Sequence, residues 1–80
     1  MNLSIQQAVE RYMYLRDKYP QYKLSLGIEH SDVIDWYVDI TPRANHPKAR
    51  EYGEVWTASG HTIDQALNKA LDNMEKELTE

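Results

Sequence analysis

Asp35, Asp39 and the three histidines are the side chains of this chain best suited to acid–base or metal chemistry. Asp35 and Asp39 stand four apart in "VIDWYVDIT", an alternating stretch that reads as a strand, so both project from one face. Four strand residues span roughly 13 Å, whereas carboxylate pairs cooperate in glycoside hydrolysis at about 5–9.5 Å. The two therefore read as a solvated strand face. His30, His46 and His61 fall in three separate connecting segments, with no His-x3-His or Glu-x-x-His spacing to hold a metal. Cysteine is absent, which removes thiolate ligands and disulfides together. The three glycines each punctuate a strand instead of forming a phosphate-cradling loop. These spacings argue against an enzyme and imply neither metal nor cofactor.

The remaining candidate is a charge pattern. The chain has nine basic and thirteen acidic residues, a net charge of −4. "TPRANHPKAREYG", Thr41 to Gly53, holds three of the bases (Arg43, Lys48 and Arg50) and one acid, Glu51. The loop is thus about +2 and the rest about −6. His46 adds a titratable group, and two prolines keep the segment out of regular structure. An acidic body disfavours a general binder of nucleic acid or anionic membranes. The loop reads as a solvated connection, or else as a basic arm in which Arg43, His46, Lys48 and Arg50 join His30 to touch phosphate.

The elements that position these groups follow from periodicity. Ser4 with Gln7 forms a capping box for a helix running to about Tyr19, where Pro20 stops it. Ile5, Val9, Tyr12, Arg16 and Tyr19 make its inner stripe, with Ala8 and Leu15 beside them, and Tyr14 points the opposite way. The period then changes to two. "YKLSLGI" puts Tyr22, Leu24, Leu26 and Ile28 on one face; "VIDWYVDIT" does the same for Ile34, Trp36, Val38 and Ile40, and "HSD" turns the chain between them. A third strand is expected over Tyr52–Ser59, with Trp56 and Ala58 inward. Thr62 and Gln65 then cap a helix with the stripe Ile63, Ala66, Leu67, Ala70, Leu71, Met74 and Leu78. Asp64, Asn68, Asp72 and Glu75 give it an acidic flank.

The expected architecture is one α+β domain over residues 1–80. It is a two-layer sandwich in the order α-β-β-β-α, with two helices on one face of a three-stranded antiparallel sheet. The other face presents Lys23, Glu29, Asp35, Tyr37 and Asp39, with Thr57 and Val55 as further candidates. No apolar run reaches the ~20 residues that span a bilayer. "MNLSIQQAVERY" is not a signal peptide, so a cytoplasmic protein is expected.

The order of elements resembles the double-stranded-RNA-binding domain over roughly Ser4 to Met74. "GIEH", Gly27 to His30, is similar to that family's Gly-x-x-His loop between its first two strands. The resemblance implies duplex recognition. The chain departs from it at the last helix: "HTIDQALNKAL" carries Asp64 in the first turn, where the family carries a lysine cluster. "TASGHTIDQALNKALDNMEKEL" is similar to the strand-to-helix segment of HicB-type antitoxins, which inhibit an RNA-cleaving toxin. In size and charge the chain also looks like phage accessory and anti-defence proteins.

The sequence thus leads to a small, non-catalytic intracellular accessory or inhibitor protein. Asp35, Tyr37, Asp39 and Tyr14 are its candidate contacts to a basic, nucleic-acid-handling protein partner. Nucleic-acid binding through the 41–53 loop and the antitoxin role are the alternatives. A homodimer through a sheet edge is a further possibility, because a three-stranded sheet has two edges to pair.

Overall fold

A computed structural model describes residues 4–50, apart from the Arg50 side chain, and 55–79. In chain order these form α1 (Ile5–Lys18), a 3-10 turn (Pro20–Tyr22), β1 (Leu24–Ser31) and β2 (Asp35–Pro42), a second 3-10 turn (Pro47–Arg50), β3 (Trp56–Gly60) and α2 (Ile63–Leu78). The strands pair antiparallel in the order β1-β2-β3, and both helices lie on one face. This is the α+β arrangement expected from the sequence. No helix among the described residues is long and apolar enough to cross a membrane.

Local chemistry sets the boundaries. At α1 the Ser4 hydroxyl accepts the Gln7 N–H while the Gln7 side chain accepts the Ser4 N–H, the complete capping box. Pro20 diverts the chain into the 3-10 turn, which takes Tyr22 out of the strand that its alternation suggested. Between β1 and β2 the Ser31 hydroxyl accepts the N–H groups of Val33 (3.2 Å) and Ile34 (3.0 Å). That winds Asp32–Ile34 into a turn closed by Asp35 at φ 56, a left-handed conformation that Asp tolerates. β2 therefore begins two residues later than expected. Ile34 is not on the inner face, and Val33 is 92 % exposed.

The register Leu26↔Ile40, Ile28↔Val38, Val38↔Ala58 and Ile40↔Trp56 puts these residues on the inner face, with Trp56 and Ala58 inward as expected. Of the third strand's expected span, residues 51–54 lie outside the described set. The core combines Val38, Ile40 and Trp56 with Ala8, Tyr12 and Leu15 of α1 and Ala66, Leu67, Ala70, Leu71 and Met74 of α2. The Tyr12 hydroxyl donates to the Leu24 carbonyl at 3.4 Å. Burial holds this phenol above its ordinary pKa, partly offset by Arg16, so it stays a donor.

The apolar stripe of α2 is buried as expected, whereas the buried face of α1 is rotated from its expected position. Arg11 of α1 reaches Asp72 (2.9 Å) and Glu75 (3.4 Å) of α2, so the helices lie flank to flank. Burial on α1 is centred on Ala8, Tyr12 and Leu15, and Ile5 and Val9 fall at the margin. On α2, Asn68 is buried and not part of an open acidic flank; its Nδ2 donates to the Asp64 carbonyl at 2.8 Å. The second capping box is also altered. Thr62 caps Gln65 as expected, but the Gln65 side chain accepts from the His61 N–H.

α2 sits close on the sheet because small residues face it. A Cβ at Gly60 would lie 3.0 Å from the Gln65 Cβ and 3.1 Å from the Ala66 backbone nitrogen. At Gly27 the obstacle is the end of a side chain, the Asp39 carboxylate, which can swing aside. Gly60→Ala is expected to cost about 1–3 kcal/mol through overpacking against helix backbone. Gly27→Ala should fall within about 1 kcal/mol of wild type, since lost glycine freedom offsets the displaced carboxylate. Urea unfolding of the two variants checks the contrast.

Candidate functional site

The sheet face turned away from both helices gathers the polar positions of all three strands. Odd-numbered residues alternate onto it: Ser25, Gly27 and Glu29 from β1, Tyr37, Asp39 and Thr41 from β2, Thr57 and Ser59 from β3. Glu29 stands opposite Tyr37, and Tyr37 opposite Ser59. The Asp39 side chain lies across Gly27, where only a residue without Cβ leaves space for it, and accepts from the Thr41 hydroxyl at 3.5 Å. The result is a polar face bearing Glu29 and Asp39, with Arg43 bonded at its Ser25 end and one aromatic ring in its middle strand.

Three of the four expected partner contacts, Asp35, Tyr37 and Asp39, belong to this face. Asp35 marks its end, with Oδ2 2.8 Å from Nδ1 of the exposed His61. Sequence spacing does not show that pair, because 26 residues separate its members. Only the register, in which Trp36 meets Gly60, brings the residues just beyond them together. Tyr14 does not join them. It is 65 % exposed on α1, in the opposite layer.

The residues expected to form a nucleic-acid contact are divided between the two ends of the sheet. His30 pairs with Trp36 beside the hairpin turn, its ring 4.8 Å from the indole ring. Arg43, His46 and Lys48 follow the far end of β2, an eight-residue strand whose length is roughly 26 Å. The Arg50 side chain lies outside the described residues.

The described part of the basic loop is pinned along its length, not simply solvated. The Tyr22 carbonyl accepts the N–H groups of Arg43 (2.8 Å) and Ala44 (3.1 Å), and Asn45, at φ 57, donates from Nδ2 to the Gln21 carbonyl. Arg43 Nε donates to the Ser25 hydroxyl at 3.0 Å. His46 is set edge-on between two rings, 5.1 Å from Tyr22 and 5.5 Å from Trp56, and Tyr22 stacks on Tyr19. His46 Nδ1 accepts the Lys48 N–H, which places the ring proton on Nε2. Lys48 Nζ pairs with Glu77 Oε1 at 2.5 Å, and the other Glu77 oxygen accepts from the Trp56 indole. A shallow concavity remains beside the loop, lined by Arg43, Ala44, Asn45, His46, Pro47 and Ala49.

This arrangement places one of the loop's expected phosphate contacts inward and one in an ion pair. The signal was partly present in the sequence, since Tyr19, Tyr22 and Trp56 need partners for their polar edges. Their meeting point at His46 depends on the 3-10 turn after Pro20. Among the described residues no cluster of three or more His, Cys, Asp or Glu side chains is placed to hold a metal ion.

Comparison with protein-family models, with curated proteins and with solved structures finds no match to this chain. The resemblances to the RNA-binding domain and to antitoxins thus rest on the residues quoted above.

The Lys48 hydrogen bond holds the Glu77 carboxyl below the usual carboxylate range; burial opposes it and the Trp56 N–H assists. A depressed folded-state pKa contributes stability that is present above the unfolded value, about 4.3, and lost as pH falls through the folded value. Glu77→Gln should therefore be less stable than wild type at pH 7. The difference should narrow progressively on acidification below about pH 4.3, as followed by urea unfolding at a series of pH values.

Proposed function

We propose that this protein is a small non-catalytic binding module that docks its acidic sheet face on a basic, nucleic-acid-handling protein, as an accessory or inhibitor. The cross-strand register supports the reading. It gathers Glu29, Asp35, Tyr37 and Asp39 on the sheet surface opposite the helices. A tyrosine supplies an anchor with little conformational entropy to lose, and surrounding carboxylates steer and orient a cationic partner. The chain's charge adds to this, since the body outside the loop is about −6. A partner that binds phosphate backbones offers the complementary potential, and occupying that surface inhibits it without any chemistry.

The triple variant Asp35→Asn, Tyr37→Ser, Asp39→Asn tests the face. Asn at position 35 preserves the left-handed backbone that the turn requires. Wild-type protein is expected to retain a basic protein from a cell extract and to lose it when duplex RNA competes. The variant should bind that partner about tenfold or more weakly with an unchanged circular dichroism spectrum. Undiminished binding by the variant overturns the choice of face. A salt-dependent gel shift of duplex RNA by the protein alone, removed by Arg43→Gln, Lys48→Gln and Arg50→Gln together, points instead to direct nucleic-acid binding.

A further inference from the structure

The two edges of the sheet are unlike. β3 is five residues long, and side chains from α2 cover its carbonyls: Asn73 Nδ2 donates to Thr57 at 3.1 Å and Lys69 Nζ to Ser59 at 3.4 Å. Such cover is how proteins blunt an edge. β1 is eight residues long and terminal in the strand order of the described sheet. Of its carbonyls, Leu24 at the start accepts the Tyr12 hydroxyl.

Apolar surface accompanies this second edge. Arg11 marks the flank of α1 that meets α2, and Ile5, Val9 and Met13 occupy the opposite flank. The 3-10 turn reverses the chain, so α1 and β1 run antiparallel with Tyr12 beside Leu24. At about 1.5 Å per helical residue and 3.3 Å per strand residue, Val9 then stands near Leu26 and Ile5 near Ile28. Ile5, Val9, Met13 and Ile28 are all 40–44 % exposed.

The edge also complements itself. Setting it antiparallel against its own copy, with Leu26 on the two-fold axis, puts Leu24 opposite Ile28 and Ser25 opposite Gly27. Lys23, which leads into β1 from the 3-10 turn in a left-handed conformation (φ 49), then comes beside Glu29 of the copy, and symmetry makes that contact twice. Neither Lys23 nor Glu29 forms an ion pair with another described residue of its own chain.

We propose that β1 is a homodimer seam, at which a second copy of this chain pairs antiparallel about Leu26. The pairing joins two three-stranded sheets into one of six strands. It buries Ile28 and the exposed flank of α1, and it matches Lys23 of each copy with Glu29 of the other. Asp35, Tyr37 and Asp39 lie outside the seam, so the two acidic faces continue side by side on one surface. A monomeric wild type would leave the docking reading of that face intact.

Light scattering after size exclusion, over a range of protein concentrations, tests the seam. The wild type is expected at twice the 9.4 kDa chain mass. Lys23→Glu and Glu29→Lys each place like charges opposite one another and should weaken the dimer about three- to thirtyfold. Combining the two restores the pairs with reversed polarity and should recover most of that loss. Ile28→Lys should give a folded monomer, checked by circular dichroism. A wild type that stays monomeric at every concentration overturns the proposal. So does a dimer that persists in Ile28→Lys, or one that the double exchange fails to restore.

Discussion

The close seating of α2 on β2 and β3 is the constraint from which the rest of this structure follows. Gly60 ends β3 where a Cβ would crowd Gln65 and the Ala66 backbone, and Ala58, Ala66 and Ala70 keep the helix low over the sheet. A helix held at that height carries its C-terminal end to Trp56, where Glu77 takes the indole N–H and Lys48 together. It also presents Asp72 and Glu75 to Arg11, which ties the flank of α1 to α2. Close packing of small residues against backbone is intolerant of added volume. The loop, the helix pair and the core thus share one dependence.

Most of the architecture was legible because it rests on local rules. Ser4, Pro20 and Thr62 mark helix ends by capping and by proline geometry. The alternation of Leu24, Leu26 and Ile28 against Trp36, Val38 and Ile40 survives intact in the paired strands. Illegible features are those decided between elements. Nothing local says that α1 turns its Ala8–Tyr12–Leu15 face inward in preference to Ile5 and Val9; packing against the core settles it, with Arg11 reaching α2 alongside. Ile34 continues the alternating pattern of β2, yet the Ser31 hydroxyl captures its N–H and winds it into the turn. Asn68 reads as surface by its type and is buried in the fold.

The same division applies to the candidate site. Tyr37 and Asp39 share a face by simple alternation, which a sequence reveals. The Asp35–His61 pair and the His46 ring contacts need the tertiary register, and neither has a motif. Charge counting alone made residues 41–53 look like an available basic arm. Packing converts part of that charge into fold stability, with Lys48 on Glu77 and His46 between two rings. A basic segment in an acidic protein can thus be the counterpart of the protein's own carboxylates. The outer sheet face is built differently, with acids collected from neighbouring strands and one tyrosine among them.

The two indoles occupy opposite ends of the inner sheet face, Trp36 opposite Gly60 and Trp56 opposite Ile40. Each has a histidine ring as neighbour, His30 for the first and His46 for the second. The molecule therefore carries a separate fluorophore at each end, one by the hairpin and one by the basic loop. Replacing either tryptophan with phenylalanine leaves an emission signal that belongs to a single end. Changes at the hairpin and at the loop can then be followed separately in solution, with no added label.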